Sequence, residues 1–108
     1  MRTDPGYEVD RQVSFTAADG KAEALAEVLE HALPHIRAED GTPVWLASRS
    51  VTEPSTCYLV DVFVSPEAQQ AHLTGRAAKL ILGEGSELLA EPPFVSPLSV
   101  IAVKNESA

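Results

Sequence analysis

The sequence predicts an α+β domain in which two strand–helix–strand halves share one antiparallel sheet. Three observations carry that prediction. Residues 37–45, Arg-Ala-Glu-Asp-Gly-Thr-Pro-Val-Trp, read as a helix end, a turn at Asp40-Gly41 and a strand start. Downstream, Val60-Asp61-Val62-Phe63 runs into Ser65-Pro66-Glu67-Ala68, a strand end followed by a capped helix start. Along the whole chain the hydrophobic period switches in the order strand, helix, strand, strand, helix, strand. Crossover helices in both halves place the two helices on one face of a four-stranded antiparallel sheet. That is the ferredoxin-like βαββαβ arrangement.

Each element has its own residue-level reason. Residues 1–6 are polar, contain Pro5-Gly6 and read as a flexible arm ahead of a domain over residues 7–103. Tyr7, Val9, Val13 and Phe15 alternate with Glu8, Asp10, Gln12 and Ser14, which predicts the first strand. Arg11 breaks the pattern by falling on the apolar side. Asp19-Gly20-Lys21 punctuates the chain, with Asp19 as the expected helix cap. Ala22, Leu25, Val28, Leu29, Ala32 and Ile36 then recur at helical spacing, and Pro34 is expected to kink or fray the last turn.

Residues 43–50 and 56–64 predict two strands joined by Thr52-Glu53-Pro54-Ser55, hence an antiparallel hairpin. The second of these is apolar on both faces except at Asp61, as a central, covered strand is. Ser65, Pro66 and Glu67 open a helix predicted to run to about residue 82, where Gly83-Glu84-Gly85 breaks it. One more turn over residues 86–90 is expected before Pro92-Pro93. Residues 94–103 predict the last strand, with Pro97 marking an edge or a bulge, and residues 104–108 form a tail.

Composition narrows the function classes. The 108 residues suit one domain, and 16 acidic against 8 basic side chains give a formal charge of -8. Such a chain repels nucleic-acid phosphates and anionic membranes. The lone Cys57 makes no internal disulfide and fits a reducing cytoplasm. No apolar run approaches the ~20 residues that cross a bilayer, and the amino terminus lacks the apolar core of a signal peptide. No phosphate loop, dinucleotide fingerprint, Ser/His/Asp signature or metal cluster is present.

Several local patterns together resemble the antibiotic biosynthesis monooxygenase family of small dimeric α+β barrels. Gly20-Lys21 matches the usual opening of the first helix. Arg37, Glu39, Gly41, Thr42 and Trp45 match an Arg-x-Glu-x-Gly-Thr pattern followed by an aromatic, with Trp where Tyr is usual. Asp61 and Phe63 match the third-strand pattern in type, while Val60 replaces its usual aromatic. Ala71-His72-Leu73 and Pro92-Pro93 also fit. The resemblance spans roughly residues 7–103.

The resemblance implies a homodimer with sheets packed face to face and a pocket between sheet and helices in each subunit. Several members oxidise polycyclic phenolic substrates with O2 and without metal or flavin; others degrade haem, isomerise small sugar phosphates or have no known activity. Fold alone therefore leaves the chemistry open. The haem-degrading members carry an Asn on the first strand, a Trp just before the second helix and a His late in it. Here Gln12 or Arg11, Val64 and Leu82 stand there, so haem degradation is not expected.

Asp61 and His72 are the catalytic candidates. Asp61, a carboxylate in an apolar strand, must pair, protonate or face a wet cavity. It serves either as pocket base or anchor, or as a structural partner of Arg11 or Arg49. His72, Arg76 and Lys79 share one helical stripe. That stripe is either a pocket wall, with His72 as acid or base and Arg76 binding an anionic oxygen, or a solvated basic face. Trp45, Tyr58, Phe63, Arg76 and Arg11 are the substrate-contact candidates. His31 and His35 have metal spacing but no third ligand, and Cys57 reads as a small core residue. The leading functional expectation is a monooxygenase using O2 on a small aromatic, polycyclic phenolic or quinol-like substrate, with no cofactor and no metal. The alternatives are a non-oxidative isomerase and a dimeric binding module without turnover.

Overall fold

A computed structural model describes residues 8–104. The expected arm at residues 1–6, Tyr7 and the tail beyond Lys104 lie outside the described residues. The elements run β1 (Val9–Thr16), α1 (Ala22–Arg37), β2 (Val44–Arg49), β3 (Thr56–Phe63), α2 (Pro66–Leu73), α3 (Arg76–Leu80) and β4 (Phe94–Leu98). A π-helical turn, Ile81–Gly85, and a 3-10 turn, Ser86–Leu88, lead from α3 towards β4. The sheet order is β2-β3-β1-β4 with every pair antiparallel, and the helices cover one face. This is the ferredoxin-like α+β fold.

The alternation in β1 and β3 decides which side chains meet the helices. Val13, Phe15, Cys57 and Leu59 are buried in one cluster with Leu25, Val28, Leu29, Ala32 and Ile36 of α1. The helical stripe in α1 is thus the face laid on the sheet. Paired residues on adjacent strands share a face, so Trp45, Asp61 and Arg11 form one cross-sheet row under the helices. Asp10, Gln12, Tyr58, Val60, Leu46 and Phe94 fall on the opposite, helix-free face.

Three local expectations are corrected. Asp19 does not cap α1; Lys21 occupies the cap position with no side-chain bond. Instead the Lys21 N–H donates to the Ala18 carbonyl at 2.9 Å, and Gly20 turns the chain with φ +76°. That left-handed value is why a glycine stands there. Pro34 lies inside α1, which continues to Arg37. Pro34 is exposed, so the carbonyl one turn earlier can bond water in place of the missing N–H.

The long second helix is really two. Ser65 caps α2 as expected, its Oγ accepting from the Ala68 N–H at 3.1 Å with Pro66 in the first turn. The helix then stops at Leu73. Thr74 and Gly75 tighten the turn through bonds to the Ala71 and His72 carbonyls, and Gly75 takes extended ψ of 177° before α3 restarts. Both residues are weak helix formers, and Gly gives the chain freedom to re-aim. Finally, β4 ends at Leu98, not at residue 103. Leu98 pairs with Asp10 near the start of β1, so the sheet offers little further partner beyond it. Pro97 sits in this edge strand, where its missing N–H costs least.

Candidate functional site

A chain of charged and polar groups crosses the fold from β1 to the end of α1. Arg11 donates to Asp61 through Nε at 2.8 Å and Nη2 at 3.0 Å, a two-pronged pair between strand neighbours. Asp61 is 0 % exposed. Arg11 was the odd residue of its strand, and the pairing explains it. A buried carboxylate there requires a cation on the same face of the next strand. The Arg11 guanidinium carbon also lies 5.7 Å from the centre of the Phe63 ring, within cation–π range.

His72 continues the chain. It is 3 % exposed, with Nε2 3.7 Å from Asp61 Oδ2 and its ring 5.1 Å from that of Phe63. Its Nδ1 lies 2.7 Å from Glu39 Oε1, and Thr42 Oγ1 donates to the same oxygen at 2.9 Å. The imidazole is thus set between two carboxylates, one strand-borne and one loop-borne. The α1–β2 loop can deliver Glu39 because Gly41 lies so close to α2. A Cβ on Gly41 would come within 2.6 Å of the Ala68 Cβ. The Val64 N–H donates to the Gly41 carbonyl at 3.0 Å and ties the loop to the end of β3.

Beside this chain lies a cavity of about 230 Å³ between the sheet and the α2–α3 region. Arg11 and His72 stand in its wall, with Val13, Phe15, Leu59 and Leu82 among the apolar residues around them. Arg11 directs Nε–H and one Nη2 hydrogen at Asp61, which leaves the second Nη2 hydrogen and both on Nη1 as donors. The site therefore offers a guanidinium N–H and an imidazole at the edge of an otherwise apolar space.

The other candidates fall elsewhere. Asp61 is behind Arg11 and His72 rather than in the cavity wall. Phe63 is fully buried and backs both of them. Trp45 packs against α1 and the core cluster, with Nε1 buried and without a partner among the described residues. Tyr58 is on the helix-free face, 37 % exposed. Arg76 is exposed at the start of α3, beside an open groove near the end of α1. The expected stripe of His72, Arg76 and Lys79 is broken by the turn at Gly75: His72 turns inward, and Arg76 and Lys79 face out. Arg49 bonds the Pro54 carbonyl and Glu23, not Asp61.

Glu39 and Thr42 are the polar residues that sequence reasoning did not single out as site residues. They sit in a loop, where no hydrophobic period reports orientation. Their only signal was the Glu-x-Gly-Thr spacing. Among the described residues no group of three or more His, Cys, Asp or Glu side chains is arranged to hold a metal ion. Cys57 is buried in the core, and burial pushes its thiol pKa up against a smaller lowering by Arg49. No helix among the described residues is long and apolar enough to cross a membrane.

Comparison with known proteins places this geometry in a lineage. A Nitrosomonas europaea protein of unknown function has a solved structure that matches with a TM-score of 0.88 and 31% identity, covering 97% of this chain and 100% of that one. A second Nitrosomonas europaea structure, described as a candidate antibiotic biosynthesis monooxygenase, matches with a TM-score of 0.82 at 16% identity over 87% of this chain and 99% of that one. A Caulobacter crescentus structure with the same description gives 0.80 at 18% identity, covering 89% and 92%. The last two, at such identity, speak to fold alone. No curated protein matches the sequence significantly. The sequence model for antibiotic biosynthesis monooxygenases matches residues 11–81, a span that holds Arg11, Glu39, Asp61 and His72. This chain belongs to the antibiotic biosynthesis monooxygenase family.

Proposed function

We propose that this protein is a monooxygenase that uses O2 on a small aromatic or quinol-like substrate held in the cavity beside Arg11 and His72, without metal or flavin. The observation that carries this reading is the composition of that cavity wall: apolar almost throughout, with one imidazole and one guanidinium at its edge. An apolar cavity suits an aromatic ring and dissolved O2. The imidazole is a base for an acidic C–H or O–H, and the guanidinium N–H favours the oxyanion that deprotonation creates. At about 230 Å³ the space is smaller than the roughly 300–1,000 Å³ of pockets for drug-sized ligands, which favours one or two fused rings over larger polycycles.

The chemistry balances simply. Loss of a proton to His72 gives a substrate carbanion or enolate. That anion reduces O2, and the oxygen adds at the same carbon to give a hydroperoxide once the proton returns. Loss of water from the hydroperoxide leaves a carbonyl, so a CH2 group and O2 become a C=O group and H2O. In this reading Asp61 acts on the reaction through Arg11 and His72, and Trp45, Tyr58, Phe63 and Arg76 lie outside direct contact with the substrate.

A homodimer belongs to the same reading. The helix-free face exposes Leu46, Tyr58, Phe94 and Leu98, and a second copy of the sheet would cover them.

Oxygen consumption with a panel of one- and two-ring hydroquinones, and anthrones as the larger comparison, in the presence of a chelator, tests the proposal. Saturable, stoichiometric uptake that is lost in His72→Ala is the expected result. Uptake that vanishes with chelator and returns with iron or copper overturns the cofactor-free reading. Saturable binding without uptake across the panel overturns the oxygenase reading in favour of a binding module.

A further inference from the structure

His72 stands in the cavity wall while its Nδ1 is held by Glu39, and that carries a further inference. We propose that Glu39 is the positioning residue for His72, fixing the proton on Nδ1 so that Nε2 is the nitrogen that exchanges a proton with the substrate. This rests on the reading of His72 as the base. Glu39 bonds His72 from outside the cavity lining and does not itself meet the substrate.

An ionised carboxylate accepts hydrogen bonds and donates none, so the 2.7 Å contact between Nδ1 and Glu39 Oε1 requires the hydrogen on Nδ1. In a neutral imidazole the other nitrogen is then the bare one. Nε2 lies 3.7 Å from Asp61 Oδ2, too far for a hydrogen bond in that state but within ion-pair reach once Nε2 gains a proton. The charged groups around the ring are Glu39, Asp61 and, through Asp61, Arg11, with the Phe63 ring alongside. Both carboxylates favour the imidazolium that proton abstraction would produce.

Glu39 is itself held. Thr42 Oγ1 donates to the same Oε1, and Gly41 allows the loop its close seat on Ala68. At the far side a Cβ on Gly75 would lie 3.4 Å from Glu39 Oε2. Oε2 is buried with no hydrogen-bond partner among the described residues. All the bonding falls on Oε1, the oxygen at His72, at the expense of the other.

Nitrogen-15 NMR of the imidazole decides the matter, read on the full-length protein together with the oxygen assay. The neutral form of His72 in the wild type is expected to be protonated at Nδ1 and bare at Nε2. In Glu39→Ala the proton is expected to move to Nε2, and kcat to fall at least about tenfold with KM changed by less than about twofold. A wild-type His72 protonated at Nε2 and bare at Nδ1 overturns the proposal, and that measurement needs no variant to fold. So does a Glu39→Ala protein that keeps the Nδ1 proton, or one that shifts the proton with kcat unchanged. If no substrate in the panel is oxidised, the oxygenase reading fails while the tautomer still decides the role of Glu39.

Discussion

Asp10 and Arg11 are neighbours on one strand and live in different worlds. Arg11 turns toward the helices, where its charge is met by Asp61, its cavity by apolar walls, and its partner histidine by a second carboxylate. Asp10 turns toward the helix-free face, where its Oδ1 is buried and has no partner among the described residues. On the helix-covered face every charge in the row from Arg11 to Glu39 has at least one counterpart within one chain, although Glu39 Oε2 and Trp45 Nε1 are buried without a partner among the described residues. The other face carries exposed Leu46, Phe94 and Leu98 alongside that orphaned oxygen. The difference divides the sheet. One face carries the charged row and the cavity, and the other keeps large apolar side chains exposed in the single chain.

The largest expected effect comes from breaking the charged row. Arg11→Ala strips the fully buried Asp61 of both hydrogen bonds from its guanidinium partner and should cost roughly 3–5 kcal/mol of stability. Replacing an exposed pair on the same molecule gives the control. Arg49 and Glu23 meet at 2.7 Å, yet Glu23 is 81% exposed, so Arg49→Ala should cost no more than about 1 kcal/mol of ion-pair energy. Urea denaturation of the two variants measures both. Comparable losses would show that the Asp61 pair is no more than a solvated one, and the contrast between the faces would fall.

Much of this was legible in the sequence, and the limits have physical causes. The order of elements came from changes of hydrophobic period, which long amphipathic segments such as α1 report well. Asp61 and Arg11 each stood out as a charge in an apolar alternation, and their pairing needed only the antiparallel register. What stayed hidden depended on contacts between segments far apart in the chain. The break at Gly75 is one case. Leu73, Ala77 and Ile81 keep helical spacing across it, so periodicity runs straight through while the axis does not. Glu39 is another, because its role is set by a loop pressed onto α2 at Gly41, a contact no local pattern encodes. The end of β4 at Leu98 is a third. Residues 99–103 are as apolar as a strand, but a strand also needs a neighbour, and β1 starts only at Val9.

The next effect concerns the helix-free face. A large apolar side chain taken out of water contributes roughly 1.5–3 kcal/mol, and Phe94 is 69% exposed in the single chain. If the faces of two copies meet, sedimentation equilibrium at low micromolar concentration should give about twice the chain mass of 11.5 kDa. Phe94→Glu would place a charge in that contact and should shift the protein toward monomer with its circular dichroism intact. A wild-type protein that is a stable monomer at that concentration would mean the exposed residues are simply tolerated, and the second face has no job.

The smallest effect is also the one that separates the faces most finely. Burial raises the Asp10 pKa above its ordinary 3.8, the bond from the Arg11 backbone lowers it, and Asp61 nearby raises it slightly further. A carboxyl whose folded pKa is raised binds its proton more tightly when folded. Its contribution is most favourable below the unfolded value and is lost as pH rises through the folded one. At neutral pH, Asp10 therefore costs stability, and Asp10→Asn should stabilise the monomer slightly by removing a partly desolvated charge. Below about pH 3.8 the gain should disappear, because both proteins are then neutral at that position. Thermal melts of Phe94→Glu with and without Asp10→Asn, at neutral and acid pH, read this directly. The same substitution in the dimer asks a different question. A second copy that supplied a donor to Asp10 would turn the gain into a loss, since removing the carboxylate would then orphan that donor. Opposite signs in monomer and dimer would make Asp10 part of the contact, whereas a gain of the same sign in both would leave it a buried charge that neither state resolves.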